Sequence, residues 1–434
     1  MLVEENLASS APNVLKWVHM LVTMMTFERC AALFRFATAG LFLTTLGAVV
    51  RAEDWAQWRG PQRNGVSAEK GWLDVWPADG PMVAWKAKVG LGFSSFVIAE
   101  GRVFTMGHAE GQDTVWCFEV ATGKVVWQHS YPAELGDKFF EGGTTGTPTV
   151  VGDRVFTLNR WGEVFCFEAA SGKIVWSKNV QKETDAPVPD WGFTGSPLVF
   201  ENLLVLNVGD AGLALDKTTG AIVWKSESKA AGYSTPLPVQ RDGKWLAIFG
   251  NGKAYVAIDP RDGKEAWRLR WLTEYGVNAS DPIVEGDAMF LATGYGKGGG
   301  LFKLGAGEPE AGWKTKALRT QLNAAVLYQG QLYGVDGDTT VKATLKCLDF
   351  ATGEEKWALP GFGSGGVVIA DGRLIAMSGF GELSVAPATP DGFKPTATSQ
   401  VLGGKCWTAP VLANGFIYCR NGAGDVVALD VRKK

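Results

Sequence analysis

Catalysis needs side chains that trade protons, attack, or hold a metal, and this 434-residue chain is sparing with them. It has three histidines, of which only His108 and His129 lie beyond an apolar N-terminal stretch. His108-Ala109-Glu110 falls in the polar turn Gly107 to Asp113 and reads as a solvated side chain. His129 follows Trp127 at a strand end and is expected on a rim. No G-x-S-x-G elbow or Ser, His and Asp order of a nucleophilic triad is visible. The glycine-rich run Leu291 to Gly307 lacks G-x-x-x-x-G-K-[ST], so no phosphate cradle is expected there. Asn278 with Asp281 is the nearest approach to a cation site. Calcium needs six to eight oxygens, and an Asn-x-x-Asp pair in a loop reads as a turn cap.

The cysteines point the same way. Of six cysteines, Cys30 lies in the N-terminal stretch, and the remaining Cys117, Cys166, Cys347, Cys406 and Cys419 are odd in number and irregular in spacing, which makes neither a disulfide framework nor a metal signature. The first three stand where parallel segments carry Ala214, Ala257 and Ala428, as small buried fillers do. Cys406 and Cys419 share the last repeat, but hairpin pairing about Asn414-Gly415 sets Cys419 opposite roughly Ala409, so no bridge is expected. A formal net charge of -3 gives no basic face for nucleic acid.

The elements that position side chains are written in the repeats. Gly (56), Trp (18) and Phe (23) are abundant, the composition of many tight turns between short aromatic strands. An acidic residue, a Gly four residues later and a Trp four further on recur as Glu119, Gly123, Trp127; Glu168, Gly172, Trp176; Asp216, Gly220, Trp224; Asp259, Gly263, Trp267; and Asp349, Gly353, Trp357. A Pro-led apolar strand and a turn precede each core, as in GTPTVVGDRVF from Gly146 and GSPLVFENLLV from Gly195. Strands alternating with turns at a period in the forties predict an all-β chain, an eight-bladed β-propeller of four-stranded antiparallel blades. Trp85 has a terminal strand with no three strands ahead of it, and the chain ends at DVVALDVRKK with three strands and no Trp. The N-terminal strand therefore completes the C-terminal blade and closes the ring, which leaves no free sheet edge there. Phe393 is expected in the Trp place of one degenerate copy.

Residues 36 to 50 form an apolar run after Arg29 and Arg35, with Val50-Arg51-Ala52 as a signal-peptidase site, so cleavage is expected after Ala52. The organisation expected is a signal peptide over 1–52, an N-terminal extension over 53–84 and the propeller over 85–434. The protein is then periplasmic or secreted and monomeric, with membrane contact only if the leader stays uncleaved.

The pattern A-x-D-x-x-T-G-x-x-x-W resembles the tryptophan-docking repeat of pyrroloquinoline-quinone (PQQ) dehydrogenases and of PQQ-like repeat proteins, which include the outer-membrane assembly lipoprotein BamB. DWAQWRGPQRNGVS (Asp54 to Ser67) is similar to the opening of secreted PQQ-like repeat proteins of planctomycete and verrucomicrobial type. The resemblance covers residues 85 to 430 and implies the fold more than an activity. The dehydrogenases hold PQQ at the axis against a Trp and two adjacent cysteines, with calcium on Glu, Asn and Asp. This chain has no Cys-Cys pair. A non-catalytic scaffold or binding propeller of the cell envelope without cofactor is therefore expected, with a PQQ- and calcium-dependent alcohol or sugar dehydrogenase as the alternative.

Strand starts at the axis face a channel mouth, and there the repeats put Phe93 and Ser94; Thr144 and Thr145; Trp191, Phe193 and Thr194; Tyr233; Asn278 and Asp281; Gln321 and Asn323; and Lys405 and Trp407. Aromatics mixed with amides and hydroxyls suit a small polar or sugar-like ligand or a peptide of an envelope protein. Arg160-Trp161 is expected as an exposed turn that anchors a partner.

Overall fold

The computed structural model describes residues 53–339 and 342–433; the signal-peptide reading of 1–52 lies outside the described residues. Eight sheets form the propeller. Blades 1 to 7 run in chain order over 97–132, 149–179, 198–225, 237–270, 283–315, 326–359 and 366–400, each an antiparallel meander from the axis outward. Blade 8 takes three strands, Val411–Ala413, Phe416–Arg420 and Asp425–Asp430, and its outer strand is Met82–Lys88 from the other end of the chain. Trp85 faces Ala428 in that pairing, so the predicted closure is present. One short helix, Val180–Thr184, and a single 3-10 turn complete the described elements, and no helix among the described residues is long and apolar enough to cross a membrane.

The repeat residues glue blade to blade. Trp127, on the outer strand of blade 1, lies over the Gly172 turn of blade 2 and donates its indole N–H to Ala169 O at 2.9 Å. A Cβ on Gly172 would meet the Trp127 ring at 2.6 Å, and its φ of +71° lies in the left-handed region that favours glycine. Within the turn, the Gly172 amide donates to Glu168 O and the Ser171 hydroxyl to the Glu168 carboxylate, both at 2.9 Å. Small residues back the indoles across each strand pair, Cys166 facing Trp176 and Ala214 facing Trp224. The five cysteines among the described residues are free and buried, and burial pushes the thiols of Cys117, Cys166, Cys347 and Cys406 up to about 12. Register corrects one expectation: Ala397 faces Val385 in blade 7, and Phe393 sits in the preceding turn against Trp357 at 5.9 Å. In that blade Ala397 stands in the Trp place.

The extension does more than precede the ring. Trp55 O accepts from Ile98 N on the inner strand of blade 1, and Ala56 O from Val150 N on that of blade 2. Val66–Ser67 then pairs in parallel with Ile369 and Ala370 on the inner strand of blade 7. Residues 55–67 thus enter the axial channel from the end carrying the inner hairpin turns. The chain leaves between blades 7 and 8, where Leu73 N donates to Val431 O beyond the last strand of blade 8 and Asp74 pairs with Arg373 of blade 7 at 2.8 Å, and reaches the outer edge as the strand at Met82. One strap ties axis to circumference across the seam where the ring closes.

Candidate functional site: an aromatic pocket at the axial mouth

Four inner strands begin with a Thr, Ser or Asp followed by proline: Thr147, Ser196, Thr235 and Asp281. The residue before proline is held extended, and each of these side chains accepts a backbone N–H from the preceding blade. Ser95 N donates to Thr147 Oγ1 (3.0 Å), Thr147 N to Ser196 Oγ (3.2 Å), Ser196 N to Thr235 Oγ1 (3.0 Å) and Thr235 N to Asp281 Oδ1 (2.7 Å). The belt ends on Asp281, whose Oδ2 accepts the Trp58 indole N–H at 2.6 Å. Next to it, the buried Arg59 forks onto Ala324 O (2.9 Å) and Ala325 O (2.8 Å) of blade 6. Burial pushes the Asp281 carboxyl up, against the pull of Arg59 and Arg63. A small cavity of about 20 Å³ lies between the strap at Trp58 and Arg59 and the inner strands.

Above this floor lies a pocket of about 220 Å³. Its aromatic wall is nearly continuous. Phe93 stacks on Trp407 at 4.9 Å and meets Phe140 at 6.0 Å, while Phe139 meets Trp191 at 5.1 Å and Trp191 meets Tyr233 at 5.8 Å. Tyr295 lines the remaining side. Burial pushes the Tyr233 hydroxyl up to about 12. Thr145, Thr194, Gln321 and Asn323 supply polar groups; Thr194 Oγ1 donates to Tyr233 O, and the Asn323 amide to Gly365 O and Trp407 O. Thr145 Oγ1 and Gln321 Oε1 are buried with no partner.

Of the expected mouth residues, Phe93, Thr145, Trp191, Thr194, Tyr233, Asp281, Gln321, Asn323 and Trp407 converge on this pocket. Lys405 stands at its edge, its ammonium 4.3 Å from the Trp407 ring centroid and paired with Glu141. Desolvation of Glu141 is outweighed by that ammonium, which holds its carboxyl below the ordinary value. Asn278 is fully buried outside the lining; its amide donates to Asn251 O and Trp271 O, and its carbonyl accepts from Thr273, so it caps a loop. Phe193 is in the blade core.

Arg160-Trp161 is a correction. Arg160 is buried, donates to Leu135 O at 3.2 Å and lies under the Phe140 ring, while the Trp161 indole donates to Glu134 O at 2.8 Å. Both residues bond to the loop 133–145, Arg160 from a buried position and Trp161 from a half-buried one. His108 is corrected too: it lies buried on a strand of blade 1, with Nδ1 2.8 Å from Asp113 Oδ1, and Asp113 also accepts from the Asn159 amide. The repeat comparison missed Phe139 and Phe140, which come from an inter-blade loop, Tyr295, from the glycine-rich run, and Trp58, from the strap. An aromatic doublet in the long link between blades 1 and 2 was the available signal.

Comparison with known proteins gives one family. The model described as "Outer membrane protein assembly factor BamB" matches residues 111–359. No curated protein matches the sequence significantly. Among solved structures, the chain is similar to BamB from Moraxella catarrhalis, at 15% identity and TM-score 0.60 over 81% of this chain and 99% of that one. It is also similar to a europium-containing methanol dehydrogenase (12%, TM-score 0.65, 86% and 90% covered). A third is the quinohemoprotein alcohol dehydrogenase from Comamonas testosteroni (14%, TM-score 0.63, 88% and 81% covered). At such identities these likenesses speak for the propeller alone.

Proposed function

The chain belongs to the family of outer membrane protein assembly factor BamB, and from that premise we propose that it acts as a non-catalytic binding propeller of the cell envelope, with the axial pocket as its binding site. The lining carries this reading: eight aromatic side chains with hydroxyl and amide groups, and a single ionisable carboxylate, Asp281, already committed to Trp58 and Thr235. Both Asp281 oxygens already accept protein N–H groups, one from the Trp58 indole and one from the Thr235 amide.

The donor set does not fit the quinone and calcium of the dehydrogenases. PQQ carries three carboxylates, and the pocket lining contains no Lys, Arg or His. Calcium needs six to eight oxygens, yet both Asp281 oxygens and the Asn278 carbonyl are engaged by protein donors. Among the described residues no group of three or more His, Cys, Asp or Glu is placed to hold a metal. The test is incubation of purified protein with PQQ and Ca²⁺ followed by desalting and a dye-linked oxidation assay. The expected result is no retained quinone absorbance and no oxidation of alcohols or sugars; turnover would overturn the proposal.

A further inference from the structure

We infer that the axial pocket takes a neutral carbohydrate, a pyranose ring or the end of a short oligosaccharide; this rests on the reading of the pocket as a binding site. Charge selects first. No cationic side chain lines the cavity, and its one carboxylate is spent on Trp58 and Thr235, so a charged ligand would be desolvated there without a partner. Shape selects second. Trp191 with Phe139 and Trp407 with Phe93 form two aromatic pairs in the cavity wall, and aromatic rings are surfaces on which the C–H faces of a pyranose stack.

Hydrogen bonding selects third. Thr145, Thr194, Gln321 and Asn323 line the cavity with hydroxyl and amide side chains. Hydroxyl and amide groups spaced around a pocket otherwise aromatic match a ligand whose hydroxyl groups both donate and accept. A peptide would instead seek a free backbone edge. The strand starts offer little of one, because the amides of Thr147, Ser196 and Thr235 are already bound into the inter-blade belt.

The experiment is a tryptophan-fluorescence and calorimetric titration of the purified chain with maltotriose, cellotriose, triacetylchitotriose, trigalacturonate and the tripeptide Phe-Phe-Gly. Saturable binding of at least one neutral trisaccharide is expected, with none for trigalacturonate. Trp191→Ala and Gln321→Ala should each weaken it by about tenfold or more, a loss of about 1.4 kcal/mol, with an unchanged melting curve. Trp245→Ala, which lies outside the lining, should bind as the parent does. Absence of binding by every neutral sugar up to about 10 mM, a ligand affinity of only about -2.7 kcal/mol, overturns the inference. So does binding unaffected by Trp191→Ala. Binding of the tripeptide or trigalacturonate alone overturns the sugar while leaving the binding propeller standing; PQQ-dependent turnover removes the propeller reading itself.

Discussion

Arg59→Ala cuts the strap from blade 6 at the floor of the pocket. The guanidinium donates to Ala324 O and Ala325 O at 2.9 and 2.8 Å and to Asn64 O at 3.1 Å, all from a buried position beside Asp281. A hydrogen bond to a charged donor contributes about 1.5–3 kcal/mol, and an orphaned buried acceptor costs about 1–3 kcal/mol. Water entering the space left by the side chain will restore part of this, so a loss of about 3–4 kcal/mol is expected from the two inner-strand carbonyls. Asp281 loses a countercharge as well, and burial should then drive its carboxyl further up. Urea denaturation should show the loss as a lower midpoint, and limited proteolysis should cut within 53–65 in the variant only. Arg59→Lys should recover less than half, since one ammonium cannot span both carbonyls. In a double-mutant cycle with Asp281→Asn the coupling should be at least about 1 kcal/mol. A single-mutant loss under about 1 kcal/mol, or strict additivity, would falsify the strap as the element that anchors the floor.

Gly172→Ala must place a Cβ 2.6 Å from the Trp127 ring at φ +71°. Overpacking costs about 1–3 kcal/mol and the left-handed backbone about 1–2 kcal/mol, so about 2–5 kcal/mol should be lost in urea titration. Recovery by the double variant Trp127→Ala, Gly172→Ala would separate the steric part from the backbone part. Asp336 governs an acid limb: burial alone would raise its carboxyl, but Arg319 at 2.8 Å and Lys346 at 3.3 Å outweigh it and hold it below the ordinary value. A depressed carboxyl contributes stability above its unfolded value of about 3.9 and loses it as pH falls through the folded value. Asp336→Asn should therefore lower stability at neutral pH by about 1–2 kcal/mol, discounted because Arg319 is partly exposed, and make the fall below about pH 4 shallower. An unchanged pH profile in the variant would remove Asp336 from that limb.

The repeat fixed the architecture without help from tertiary detail, because each of its residues acts locally or on the next blade. Gly172 and Glu168 form a turn within one hairpin, and Trp127 reaches its partner one period later, so period and pattern were enough to count eight blades and place the closing strand at Trp85. Part of the mouth was legible for the same reason: Thr194, Tyr233 and Trp407 each stand three residues ahead of the proline that leads into an inner strand. The rest of the pocket depends on contacts with no period. Trp58 reaches Asp281 across 223 residues of sequence, and Phe139 and Phe140 are brought in by a loop that Arg160 pins from below. Arg160 read as a surface anchor and His108 as a solvated turn because sequence shows polarity but not burial, and both are paid for by partners that only the ring brings near. The sequence by itself determined the ring; the tertiary structure decided that its axis is filled from one end and open to an aromatic pocket at the other, since a segment outside the repeat chooses its place by the carbonyls and carboxylate it meets in space.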